Sequence, residues 1–185
     1  MEGIHEHHEQ QTQAEPRIYA ASLSDYNDGR LHGRWIDANQ EPDDIQAEIS
    51  DMLAESPMPD AEEWAIHDYE GFASFRLSEY ESVEALARIA HGVAEHGPAF
   101  AHWVDHVGTT DIESLDAFEE HYLGYWDSLS DYAEQLLDDL GVNIDKLVPD
   151  WISPYVSIDY EMLGNDLATD LYVSGGRGDT HLFQP

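Results

Sequence analysis

The sequence predicts an α+β fold with β-rich ends and a helical middle. Short runs rich in β-branched and aromatic residues lie near the start: "RIYAASL" (17–23), "RWIDA" (34–38) and "EEWAIHDYEGF" (62–72). "LYVSGG" and "HLFQ" flank a Gly-rich turn at the end. Segments with helical apolar spacing, punctuated by Pro, Ser and Gly, fill the interval between. Hydrophobic residues make up 42% of 185, with 5 Trp, 10 Tyr and 5 Phe, which suits a packed core rather than a disordered acidic chain.

Residues 1–15 are too polar to pack and are expected to form a disordered tail. "SDYNDGRLHG" reads as a hairpin-like connection between the first two strands. Pro42 suits the first turn of a helix running to about Ala54, with Asp43 and Asp44 at its positive end and Ile45, Ile49, Met52 and Leu53 inward. "SPMPD" breaks the chain before the 62–72 strand. Ser82 caps a helix over 83–95, with Val83, Leu86, Ala90 and Val93 inward, and Gly97-Pro98 ends it. A helix over 99–107 stops at Gly108, and Thr110 with Glu113 forms a capping box for a third. Ser128 caps a further helix closed by Gly141, and "SIDYEMLGNDLATDL" (157–171) predicts the last one.

Charge narrows the function. Against 40 Asp+Glu stand 7 Lys+Arg, a net of −33 with His neutral. Residues 35–185 hold 34 acidic side chains and four basic ones, Arg76, Arg88, Lys146 and Arg177. Such a field repels nucleic acid and anionic membrane and attracts basic surfaces. Direct nucleic-acid or membrane binding is therefore not expected. With 0 Cys, disulfides, zinc–thiolate sites and cysteine nucleophiles are excluded. The polar, acidic N-terminus has no signal-peptide pattern and no run reaches membrane-spanning length, so a cytoplasmic protein is expected.

The acidic residues are also patterned. In "DSLSDYAEQLLDD", Asp127, Asp131, Glu134 and Asp138 fall at i, i+4, i+7 and i+11, and Asp44, Glu48, Asp51 and Glu55 repeat that spacing. On a helix each set spans about 60° of arc, turned away from the apolar face, with charges about 5.5 Å apart along the axis. Like charges at i,i+4 destabilise a helix by roughly 0.2–0.5 kcal/mol per pair, and no cation is interleaved to relieve them. Asp116 and Glu120 add a pair on the third helix. Two explanations fit composition equally: the solvation shell of a halophilic protein, or a surface imitating the phosphates of a nucleic acid.

Catalytic and metal signatures are weak. His5, His7 and His8 miss the H-E-x-x-H frame because position 9 is Glu, and belong with the polar tail. His102 and His106 at i, i+4 lack a third ligand and are expected to be a surface pair. "RGD" (177–179) is a turn, and His67-Asp68, without a nucleophile motif or cofactor fingerprint, suggests a structural hydrogen bond. Arg30 and Arg34 are expected to pair with the sheet's own carboxylates. No catalytic, cofactor or metal site is assigned, and the protein is not expected to be an enzyme.

Three stretches decide between the explanations. "RIYAASLSDYNDGRLHGRWIDA" (17–38), "EEWAIHDYEGF" (62–72) and "YVSIDYEMLGNDL" (155–167), with the terminal "HLF", resemble the ArdA family of antirestriction proteins in content and order. "GND" departs from the pattern, which has a basic residue after the Gly. The resemblance implies a protein of mobile elements that inhibits type I restriction–modification enzymes, filling their DNA-binding groove as a mimic of bent B-form DNA. It implies an elongated, curved chain of three small domains, 16–81 (β-rich), 82–120 (helical) and 121–185 (mixed), dimerising through the last.

The antirestriction segment and dimer contact would correspond to 147–161, with Leu147, Val148, Pro149, Trp151, Pro154 and Tyr155 as a docking surface. The carboxylates at 44, 48, 51, 55, 116, 120, 127, 131, 134 and 138 would then stand for phosphates. A homodimer, at twice −33, would carry the charge of about 33 base pairs. Elongation also spreads the charge, since two charges 6 Å apart repel by about 0.7 kcal/mol even in water. A compact chain of this length has a radius of gyration of about 16 Å, and a larger one is expected. The alternatives are a halophilic-type acidic domain and an acidic chaperone of basic DNA-binding proteins.

Overall fold

The computed structural model describes residues 14–59, 61–176 and 178–185. The His5, His7 and His8 reading and Arg177 of "RGD" lie outside them. The fold is α+β, and its contacts divide the chain into two compact units, one ending at Asp116 and the other running Ala117–Pro185.

The first unit holds β1 (Arg17–Ser22), α1 (Leu23–Asn27), β2 (Gly33–Asp37), α2 (Pro42–Ala54), β3 (Trp64–Glu70), α3 (Val83–His96), α4 (Pro98–Val107) and α5 (Ile112–Asp116). Its three strands form an antiparallel sheet in the order β2-β1-β3. Ile18, Ala20 and Ile36 are buried against α2, whose Ile45, Ile49 and Met52 are buried in turn; Leu53 is half-buried. The opposite face stays wet, as antiparallel sheets allow, and carries Tyr19 edge-on to Trp35 with the Arg17 guanidinium 4.8 Å over the Trp35 ring. α3 packs on α2, so the N-terminal sheet and the middle helices share one unit.

The β1–β3 ladder contains a bulge. Tyr19 opposes Asp68 and Ala20 opposes Ile66, so His67 has no partner residue on β1. The connection expected to be hairpin-like also contains a short helix. The buried Ser22 Oγ accepts from the Asp25 amide and starts α1, since a capping hydroxyl satisfies an otherwise unpaired amide of the first turn.

Helix ends in the middle follow local chemistry. The Ser82 hydroxyl accepts from the Ala85 amide to begin α3. Gly97, at φ 60 and ψ −139, is the single residue between α3 and α4, C-cap of one and N-cap of the other; that backbone conformation is open essentially to glycine alone. The third helix departs from expectation. Asp111, not Thr110, is the capping side chain: its Oδ1 accepts from the Glu113 amide at 3.1 Å and its Oδ2 from the Ser114 hydroxyl at 2.8 Å. The helix then stops at Asp116, and Ala117 at ψ 1 separates it from the next element.

The second unit contains α6 (Phe118–His121), β4 (Tyr122–Trp126), α7 (Leu129–Asp139), α8 (Ile144–Leu147), α9 (Tyr160–Leu167), β5 (Tyr172–Gly176) and β6 (Asp179–Phe183). Its antiparallel sheet runs β4-β6-β5. Phe118, Leu182 and Phe183 are buried, and Phe118, Tyr122 and Tyr172 surround the Phe183 ring at 5.2 to 6.2 Å. α7 packs along α9, and its Tyr132 meets Trp126 of β4 edge-on at 5.3 Å.

Candidate interaction surface

The acidic residues of α2 stand where their spacing predicts. Asp44 and Asp51 are exposed and Glu48 is half-buried, its carboxylate accepting from the Gln40 amide nitrogen at 2.8 Å. Glu55 is the C-cap of α2 and receives the Arg34 guanidinium at 2.6 Å. Arg34 therefore pairs with the helix end, and Arg30 pairs with Asp28 in the turn at 3.3 Å. The sheet's own pair is Arg17–Glu70 at 2.5 Å, between residues that oppose each other across β1 and β3. The expected partners of Arg30 and Arg34 are corrected accordingly: packing of α2 on β2 brings the helix end within reach of Arg34.

On α7, Asp131, Glu134 and Asp138 are exposed along one face. Asp127 is not part of that stripe. Ser128 is the N-cap, its hydroxyl accepting from the Asp131 amide at 3.2 Å, so the helix begins at Leu129 and Asp127 precedes it. The same hydroxyl donates to Asp131 Oδ2 at 2.6 Å. At the far end Val142 N reaches Leu137 O and Gly141 N reaches Asp138 O, the paired bonds of a Schellman stop. Asp116 and Glu120 fall on two separate short helices, and Asp116 is ion-paired with Arg88, whose guanidinium also lies 5.1 Å over the Phe100 ring. Of the ten expected carboxylates, Asp116 and Glu55 thus have a cation at hand.

The segment after α7 presents apolar side chains to solvent. Leu147, Trp151 and Tyr155 are 67%, 73% and 86% exposed, with Pro149 and Pro154 exposed and Val148 half-buried beside them. Met162 on α9 adds to the set. Contiguous exposed apolar patches are what interaction surfaces carry, and these side chains are exposed and close in sequence.

The other titratable residues make local contacts. Asp68 accepts from the Tyr69 amide at 2.9 Å, while His67 meets the Tyr26 ring edge-on at 4.7 Å. His102 is half-buried, and His106 is exposed against the Trp103 ring. Two polar groups, one buried and one half-buried, escaped the sequence reading. Asp25 is fully buried and accepts from the Ser56 hydroxyl at 2.6 Å; that bond, with help from Ser22, His32 and Arg30, holds its carboxyl below the usual value despite burial. The Tyr122 hydroxyl lies 3.0 Å from His181 Nδ1, and burial, then the Asp179 charge, pushes it up to about 12. Neither residue type stands out in sequence, because the partners are 31 and 59 positions away.

The family model described as antirestriction protein (ArdA) matches residues 18–178. The chain belongs to the ArdA family. That match takes in the first sheet except Arg17, takes in β4 and β5 of the second but not β6, and includes all ten expected carboxylates. No curated protein matches the chain. Membership assigns this ArdA chain an antirestriction function, exercised on restriction–modification enzymes. Among the described residues no helix is long and apolar enough to cross a membrane.

Proposed function

We propose that this ArdA chain is a decoy of B-form DNA, occupying the DNA-binding groove of a type I restriction–modification enzyme and so protecting incoming mobile-element DNA. The observation that carries the reading is the pairing of exposed carboxylate rows on α2 and α7 with arginines held in internal ion pairs. Asp44, Asp51, Asp131, Glu134 and Asp138 are exposed, while Arg17, Arg30, Arg34 and Arg88 each face a carboxylate. A groove built for phosphates offers Lys and Arg, and uncompensated carboxylates at helical spacing present charge to it at intervals of about 5.4 Å. No chemistry is required of such a protein, and none is assigned to it.

The apolar surface around Trp151 and Tyr155 completes the reading as the contact between two copies, since burying it would remove the largest exposed rings of the second unit from water. The elongated arrangement of segments 16–81, 82–120 and 121–185, acting in the cytoplasm, belongs to the same proposal. The test is competition against a labelled duplex for purified type I methyltransferase. Displacement that weakens as salt rises is expected. Undiminished duplex binding at saturating protein, across several type I enzymes, would refute the decoy. Folding that needs molar salt would point instead to a halophilic-type domain, and equal capture of histone-like proteins to an acidic chaperone.

A further inference from the structure

The first unit carries a concavity that the acidic rows do not explain. It has a volume of about 410 Å³ and is lined by Tyr26, Ile66, His67, Tyr69, Leu77 and Glu79. The β1–β3 bulge lies at its wall, at His67. By inserting His67 opposite no β1 residue, the bulge re-aims that side chain, as bulges beside functional sites do, and sets it edge-on against the ring of Tyr26 at 4.7 Å and 80°. Tyr26 is 58% exposed, far more than a tyrosine recruited for packing needs. Tyr69 is braced edge-on by buried Phe72 at 5.9 Å. Glu79 is pinned beside β3 by its carbonyl, which accepts from the Ile66 amide at 2.9 Å, and its side chain is exposed.

We propose that this aromatic and acidic cavity receives an arginine side chain of the partner enzyme. Phenol rings attract a cation through the negative potential of their faces. A guanidinium is the better fit than an ammonium because it is planar, weakly hydrated, stacks on rings and accommodates a carboxylate in bidentate fashion. The rings of Tyr26 and Tyr69 supply the faces, Glu79 supplies the carboxylate, and Ile66 and Leu77 supply the dry floor. Of the arginines of the same unit, Arg17, Arg30, Arg34 and Arg88 are engaged with Glu70, Asp28, Glu55 and Asp116, and Arg76 is exposed and does not line the cavity. An apolar occupant would have to pass a charged rim within a chain of net charge −33; a cation is drawn in by the same field. The carboxylate rows would then set attraction and salt dependence, and the cavity would fix where along the basic groove the protein sits. The partner's identity rests on the decoy reading; the cavity's preference for guanidinium does not.

Two measurements test the inference. In the first, ring resonances of Tyr26, His67 and Tyr69 are followed by NMR while N-acetyl-arginine amide is added to the full chain, with N-acetyl-norleucine amide as control. Saturable shifts at these rings with the arginine compound alone, abolished by Tyr26→Leu and reduced by Glu79→Gln, are expected. Equal responses to both compounds, or none, would overturn the cavity. In the second, the same variants compete against labelled duplex for the methyltransferase. Tyr26→Leu is expected to weaken competition about two- to fivefold, the worth of one exposed cation–ring contact, without changing its salt slope. Full competition by both variants would overturn the docking role. Failure of the wild-type protein to compete would sink the decoy reading instead, and the titration would still decide the cavity. Because Tyr26 and Glu79 are exposed, both variants should fold, and circular dichroism verifies that.

Discussion

Substituting Gly164 by Ala tests how closely α7 and α9 approach. A Cβ at this buried position would lie 2.4 Å from the Leu129 carbonyl oxygen and 2.7 Å from its carbon. Both obstacles are backbone, at the first residue of α7, and cannot swing aside as a side chain would. The helices must separate by about 1 Å to reach ordinary contact. Overpacking of this kind costs about 1–3 kcal/mol, and the rigid obstacle places the cost in the upper half of that range. Against it stands the better helix propensity of Ala, about 0.8–1.0 kcal/mol in a helix interior. The expected net is a loss of about 1–2 kcal/mol. With a urea dependence of about 1 kcal/mol per molar for a unit this small, the unfolding midpoint should fall by about 1–2 M. Amide resonances of α7 and α9 followed through a urea titration report the change where it arises. Gly176→Ala is the control, since a Cβ there meets nothing within 4 Å and its φ is not positive. If Gly164→Ala and Gly176→Ala share the wild-type midpoint, the close helix contact described above does not exist.

Three further outcomes follow from these capping and polar groups. Ser128→Ala removes the acceptor for the Asp131 amide and should lower stability by about 1 kcal/mol, read as a urea midpoint shift in the second unit. Asp25, with its folded carboxyl held below the ordinary 3.8, contributes stability above that pH which is lost as pH falls through the lower folded value; Asp25→Asn should flatten the acid limb of a stability–pH curve below about pH 4. Tyr122, raised from 10.0 to about 12, contributes stability present below pH 10 and lost as pH climbs toward 12, so Tyr122→Phe should lose less stability than the wild type over that interval while phenolate absorbance shows one fewer late-titrating ring.

What could be read from sequence was local. Pro42, Ser82, Gly97 with Pro98, Gly108 and Ser128 bracket helices through capping chemistry that acts within four residues, and α2, α3, α4 and α7 begin or end at them. What escaped was non-local. β4 was not anticipated: Tyr122–Trp126 follows an acidic helical stretch, and its strand state depends on pairing with Thr180–Phe183. The capping residue of α5 was misassigned because Thr110 and Asp111 are both good caps and only the bond to Glu113 separates them. Asp127 matched a helical spacing that its own neighbour Ser128 interrupts. The carboxylate rows were visible because helical periodicity is written in the chain, whereas the Tyr26–His67–Tyr69 cavity has a bulge in its wall, and a bulge exists only once two strands have found their register.

The two small sheets carry a consequence for the protein in solution. Within the described residues each has three strands, so four of the six strands are edges, with backbone groups open to pairing with another chain. Natural edges are blunted by inward charges, prolines or covering segments; here the Glu79 carbonyl covers one point of β3, and a net charge of −33 acts on all four edges at once. Mutual repulsion between molecules is then the principal guard of colloidal stability, and unlike a proline or a covering loop it is screened within about 10 Å at 0.1 M salt and about 3 Å at 1 M. A chain with so many carboxylates therefore shares a polyanion's sensitivity to counterions: concentrated salt, multivalent cations or acid would bring its strand edges within reach of one another.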